Sequence, residues 1–171
     1  MTIALRPATT DDAEAVMTLH LCCHEEAYGR HLPPEFFAMR RDTLPGRVEN
    51  LRKGIAAGRT PLLAYDDEGL LGLAAGGPAQ HPDAPAPVEL YMLYILARGY
   101  GGGAGQLLLD AVIGREAAFL WVLEDNPRAQ AFYARNGFAM DGARDVLDDD
   151  WHNLAEVRMV RAARPESAPA A

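Results

Sequence analysis

Between Gly99 and Gly105 the chain reads Gly-Tyr-Gly-Gly-Gly-Ala-Gly, set between an apolar run, VELYMLYIL, and a leucine-rich helical stretch. Glycines let a backbone approach a ligand closely and take positive φ. The open amides of a following helix, with its dipole, attract anions, and a pyrophosphate fits such a site. No Gly-Lys-Ser/Thr follows, so the loop is not a P-loop. Nor does an acidic residue end a suitable second strand about twenty residues on, as a dinucleotide fold demands. A flexible turn is the plainer reading of the same five glycines, and the residues alone leave both open.

Other side chains could carry proton chemistry. Glu89 lies early in the apolar run, alternating with apolar neighbours, as a base or as a polar residue of a half-buried strand. Tyr133 follows Phe132 in a helical stretch; its phenol, with a pKa near ~10, stays protonated at neutral pH, yet both rings suit a helix-face core. Tyr28 and His31 are read as lying between the first two helices, and Tyr91 lies on the apolar run, with its side of the strand left open. Asp148, Asp149, Asp150, Trp151 and His152 form an acidic, aromatic loop that could draw in and stack on an ammonium group, although a solvated loop is the commoner use of such a run. His20, Cys22, Cys23 and His24 raise a metal site, but one helix sends them to different faces, although His20 and His24 lie one turn apart, and few zinc spacings look like this; no metal is expected. Ser167 is the only serine, which sets serine-nucleophile chemistry aside.

The elements that must position these groups read as follows. Ile3–Leu5 is a short strand stopped by Pro7, and Thr9 to Asp12 offer caps for a helix through Leu21. Helices cover about 35–41 and 46–57. Pro61–Tyr65 and Leu70–Ala75 form a hairpin about the turn at 66–69, and Gly76–Pro87, rich in proline, is a loop. Val88–Leu96 is the strongest strand. A helix follows over 104–114, then a strand at Ala118–Leu123, a helix over 127–136 and a last strand at Leu154–Val160. This order predicts a three-layer α/β/α domain with a mixed, mostly antiparallel sheet. A single domain is expected over 1–162, with a disordered tail over 163–171.

The 171 residues suit one core, and 49% hydrophobic with 23% charged is an ordinary globular balance. A net charge of −8, with Lys53 the only lysine, argues against nucleic acid and anionic membranes as partners. An acidic surface fits a cationic substrate. The N-terminus lacks signal-peptide features, and adjacent Cys22 and Cys23 are poorly placed for a structural disulfide, so a cytoplasmic protein is expected. A homodimer is the default from symmetry statistics.

From Val88 onward the chain resembles the GNAT N-acetyltransferases. VELYMLYILARGYGGGAGQLLLDAV is similar to that family's fourth strand, pyrophosphate loop and helix. FLWVLEDNPRAQAFYARNGF carries the N-x-x-A-x-x-F-Y-x-x-x-G-F pattern at Asn126, Ala129, Phe132, Tyr133, Gly137 and Phe138. The opening IALRPATTDDAEAV and the ending EVRMV also match. The family's Q/R-x-x-G-x-G/A pattern aligns with Tyr100, Gly101, Gly102, Gly103, Ala104 and Gly105, so Tyr100 stands where Gln or Arg is usual. A rival register from Arg98 restores a basic residue but shifts Leu107 and Leu108 off the helix's apolar face.

The resemblance implies an acetyl-CoA-dependent N-acetyltransferase acting on a primary amine. It implies that Tyr100 through Gly105, with Gln106, hold the pyrophosphate. Leu93, Tyr94, Ile95 and Leu96 would pair with the pantetheine arm, with an amide in Leu93–Ile95 facing the oxyanion and Asn126 near the same arm. Tyr133 becomes the acid toward the CoA sulfur and Glu89 the base, directly or through water. Tyr28, His31, Tyr91 and Trp151 are the acceptor-side candidates. A non-catalytic acyl-CoA-binding module of the same fold is the alternative.

Overall fold

The computed structural model describes residues 2–80 and 83–164. Its seven strands are β1 (Ala4–Pro7), β2 (Leu62–Asp66), β3 (Gly69–Pro78), β4 (Val88–Ile95), β5 (Ala118–Leu123), β6 (Ala139–Val146) and β7 (Ala155–Arg161). Five α-helices accompany them: α1 (Ala13–Tyr28), α2 (Pro34–Asp42), α3 (Leu44–Ala56), α4 (Ala104–Ile113) and α5 (Pro127–Arg135). The strands form one mixed sheet in the order β1-β2-β3-β4-β5-β7-β6. The β1–β2, β2–β3, β5–β7 and β6–β7 pairs are antiparallel, and β4–β5 is parallel. The expected α/β class with a mixed sheet is the one observed.

The chain resolves into two compact units, Met1–Ala75 with Met92–Val112, and Gly76–Tyr91 with Ile113–Ala171. In the first, β2 alternates between two apolar clusters, because successive strand residues point to opposite faces. Leu63 joins Val16, Leu19 and Cys23 of α1, with Leu51 and Ile55 of α3. Its neighbour Ala64 joins Leu71, Ile95, and Ala104 and Leu108 of α4. Helices therefore cover both faces here. The start of α1 is pinned by Asp12, whose carboxylate accepts from both terminal nitrogens of Arg6 at 2.7 Å and from the Thr9 amide at 2.7 Å.

In the second unit, β5 pairs with β7 from Ala118↔Arg161 to Leu123↔Glu156. Phe119, Leu120, Val122, Val157 and Met159 are buried there. The Arg161 guanidinium, also buried, donates to the carbonyls of Gly114 at 2.9 Å and Glu116 at 3.0 Å.

Three points differ from the sequence reading. The strand read as ending at Ala75 continues to Pro78, so Gly76–Pro78 belong to β3 and the loop begins later. The strand β6 was not anticipated: seven of its eight residues are exposed, so AMDGARDV shows no buried alternation. Its register shifts between Met140 and Arg144 around left-handed Gly142. Finally, Arg164, assigned to the tail, bonds to the Arg115 carbonyl and to Asn136; the remaining tail, 165–171, lies outside the described residues.

Candidate active site

The glycine loop starts as a 3₁₀ turn over Ala97–Gly99 and passes through extended Tyr100 to α4. Gly101 has φ +77° and Gly103 φ +91°, values that disfavour any residue with a Cβ. A Cβ at either would meet nothing within 4 Å, so these two glycines serve backbone shape and leave the loop face open. Gly99 differs: a Cβ there would lie 2.6 Å from Leu71 Cδ1, so it allows close packing. The first-turn amides of α4 have no acceptor inside the helix, and its first turn carries no acidic side chain. Gln106 turns its side chain down the helix and donates to Asp110 at 2.9 Å. Tyr100 is 40% exposed.

Arg98, the basic residue of the rival register, is engaged elsewhere. It forms an ion pair with Asp66 and donates to the Leu70 carbonyl at 3.2 Å. That partner holds the Asp66 carboxyl below its ordinary pKa. Ala104 and Leu108 are buried in the α4 cluster, whereas Leu107, expected on the same apolar face, is exposed.

Upstream of the loop, the Leu96 amide donates to the Leu71 carbonyl at 3.0 Å. The Ala97 amide donates to the Glu26 carboxylate at 2.7 Å, so α1 braces the point where β4 turns into the loop. At Gly72 the β3 backbone comes so near that a Cβ would lie 2.6 Å from the Tyr94 carbonyl oxygen. Leu93 and Ile95 face the α4 cluster, whereas Tyr94 faces α1, its hydroxyl 3.0 Å from His24 Nε2. Tyr28 extends this aromatic row, its ring 5.4 Å from that of His24. His31 lies exposed in the turn after α1.

In the second unit, Glu89 pairs with Phe119 across β4 and β5 and is half-buried. Its carboxylate accepts a long bond, 3.4 Å, from the Gln80 amide. Tyr91 donates its phenolic hydrogen to the Pro78 carbonyl at 2.5 Å, a contact that ties β4 to the end of β3. Tyr133 is buried at 7% exposure, edge-on to Phe132 and Phe138 with ring centroids 5.3 and 5.8 Å away. Asn126 caps α5, its Oδ1 accepting from the Ala129 amide at 3.1 Å just before Pro127. Trp151 is half-buried in a short turn that leaves through left-handed His152 and Asn153.

His20 and His24 do come together, with ring centroids 4.1 Å apart. Cys23 instead packs into the α1 core cluster. Among the described residues, no group of three or more His, Cys, Asp or Glu is placed to hold a metal ion. Sequence reasoning missed three residues here. Glu26 is an unremarkable polar residue of α1 until the bond to Ala97 is seen. Arg40 and Arg47 meet the histidines of α1 through helix packing that no spacing rule reveals.

Comparison with known proteins gives a consistent picture. A 63-residue stretch is 40% identical to uncharacterised N-acetyltransferases of Mycobacterium bovis and Mycobacterium tuberculosis; it spans 33% of this chain and 40% of the length of those relatives. Among solved structures, apo YjaB from Escherichia coli superposes with a TM-score of 0.68 at 18% identity, covering 96% of this chain and all of that one. PaiA N-acetyltransferase from Thermoplasma acidophilum, solved with coenzyme A, gives 0.65 at 17% identity over 95% of this chain and 99% of that one. At these identities the likeness speaks for the fold. The acetyltransferase (GNAT) family model matches residues 13–138, well over half of the sequence. On that match the chain belongs to the GNAT acetyltransferase family.

Proposed function

We propose that the protein is an N-acetyltransferase that moves an acetyl group from acetyl-CoA to a primary amine of a small molecule, peptide or protein while both substrates are bound. The observation that carries this reading is the loop itself: two left-handed glycines, Gly101 and Gly103, set the backbone directly before the open first turn of α4. Amides and dipole there favour a diphosphate. Backbone groups of Tyr100–Gly105 and Gln106 hold it. The stretch Leu93–Leu96 pairs with the pantetheine arm as a strand edge pairs with a peptide, and Asn126 fixes the neighbouring chain end through its cap.

The chemistry needs a neutral amine, a donor for the developing oxyanion and a proton for the departing sulfur. Glu89 takes a proton from the amine, directly or through one water. The amine nitrogen then bonds to the acetyl carbon as the carbon–sulfur bond breaks. An amide within Leu93–Ile95 donates to the carbonyl oxygen as charge builds on it. Tyr133 gives its phenolic proton to the thiolate, and solvent restores it. Burial keeps that phenol among apolar rings. Tyr28, His31, Tyr91 and Trp151 serve the acceptor side.

The test is release of free thiol from acetyl-CoA over a panel of amines. Amine-dependent release that is lost in Tyr133→Phe supports the reading. Binding of CoA with no release for any amine would instead make the protein an acyl-CoA-binding module.

A further inference from the structure

Three helices of the first unit bring two arginines against the histidine pair of α1. His20 and His24 both lie against Tyr94, with ring centroids 4.6 and 5.0 Å from it. From α3, Arg47 donates through Nη2 to His20 Nδ1 at 2.9 Å. A guanidinium can only donate, so that Nδ1 is unprotonated and the His20 proton sits on Nε2. Burial first, then the charges of Arg47 and Arg40, push His20 down to about 3. Burial first, then His20 and the same two arginines, push His24 down to about 2. Both rings are therefore neutral and supply no positive charge of their own.

Arg40 of α2 stands close enough to Arg47 that burial and this like charge together lower Arg47 to about 10. No carboxylate among the described residues contributes to that balance. The contrast within the chain is plain. Arg6, Arg41, Arg98, Arg144 and Arg158 each sit in an ion pair, with Asp12, Glu25, Asp66, Glu124 and Asp141 respectively. Arg47 instead meets a histidine and a second arginine, although acidic residues exceed basic ones by eight. Its Nη1 is buried with no hydrogen-bond partner among the described residues. A buried charged donor left unmet is costly, and an oxyanion with two lone-pair edges matches a guanidinium fork.

We infer that this cluster is an oxyanion site, in which Arg47, oriented by His20 and assisted by Arg40, binds a carboxylate or phosphate carried by the acceptor amine. That the anion belongs to the acceptor rests on the acetyl-transfer reading; that the site takes an oxyanion does not. The substrate class is then an amine that also bears an anion, rather than a purely cationic amine. Tyr94 links the cluster to β4, so the site lies beside the strand assigned to the thioester.

The experiment pairs amines that differ only in the anion: β-alanine with propylamine, and phosphoethanolamine with ethanolamine, at matched ionic strength. Equilibrium binding is read by thermal shift without acetyl-CoA, for the wild type, Arg47→Gln and Arg47→Lys. Gln keeps a donor toward His20 Nδ1 and removes the charge; Lys keeps the charge and loses the fork. The wild type should bind one anionic amine more tightly than its neutral partner, and which one names carboxylate or phosphate. Arg47→Gln should weaken that binding roughly ten- to hundredfold, with Arg47→Lys between. In turnover the same loss should fall mainly on KM. Equal binding of anionic and neutral members by the wild type overturns the site, whatever the variants do. Anion binding without acetyl transfer to any amine leaves the site standing and removes the acetyl-transfer reading; transfer that ignores the anion does the reverse.

Discussion

Gly103→Ala isolates the backbone term of the loop. Gly103 has φ +91°, and a Cβ there meets no atom within 4 Å. No packing clash adds to the cost, so the penalty is that of an L-residue in the left-handed region, about 1–2 kcal/mol. For a chain of this size each kcal/mol moves Tm by roughly 2–4 °C, which places the drop at about 2–8 °C. Gly103→Asn should recover part of it, because Asn tolerates this region better. Gly102 is exposed and lacks a positive φ, so Gly102→Ala should stay within ~0.5 kcal/mol. The assay is differential scanning fluorimetry of the four proteins, each with and without acetyl-CoA. Relaxation of the strained backbone also turns amides away from the diphosphate, so the acetyl-CoA-induced rise should shrink in Gly103→Ala and persist in Gly102→Ala. An unchanged Tm together with an unchanged acetyl-CoA response in Gly103→Ala would refute the argument.

Three further outcomes follow from the same structure. Tyr133→Phe keeps the ring contacts with Phe132 and Phe138 but removes the hydroxyl proposed as the acid, so kcat should fall about a hundredfold or more with only a small change in Tm; a loss confined to KM would contradict the proposed role. Gly72→Ala places a Cβ 2.4 Å from Ile95 Cδ1 and 2.6 Å from the Tyr94 carbonyl, and urea denaturation should show a loss of about 1–3 kcal/mol from overpacking. His20 and His24 stay neutral in the fold to about pH 3 and 2, whereas in the unfolded chain they take up protons below about pH 6.5. The unfolded state thus binds more protons across that window, and stability falls on acidification by up to about 1.4 kcal/mol per pH unit for each histidine. His20→Gln should flatten the decline of the urea midpoint between pH 7 and 5, and an identical slope would count against buried neutral histidines.

Much of the fold was legible because its signals are local. Ala118–Leu123 is an unbroken apolar run and was placed to the residue. Helix α1 follows acidic and hydroxyl residues, of which Thr9 and Asp12 close a capping box on the 3₁₀ turn Thr10–Asp12 that leads into it. What escaped depends on partners distant in sequence. The exposed edge strand β6 is held by pairing with β7, not by its own pattern. The extension of β3 through Gly77 is secured by Tyr91, whose phenol would lie 3.1 Å from a Cβ there. At the site, the ion pair that occupies Arg98 bridges 32 positions. Arg47 reaches His20 across 27 positions. Such juxtapositions leave no trace in hydrophobic periodicity, which records only which face of an element is buried.

The proposed binding of the acetyl-CoA diphosphate by the glycine loop can be read by titrating the protein with acetyl-CoA, CoA and ATP while following Tm. Ligand present at a hundred times its Kd stabilises the native state by about 2.7 kcal/mol, which corresponds to a rise of roughly 5–11 °C for this chain. Acetyl-CoA and CoA should each give such a rise, and ATP none. No response to either CoA ligand, or an equal response to ATP, would contradict the proposed binding.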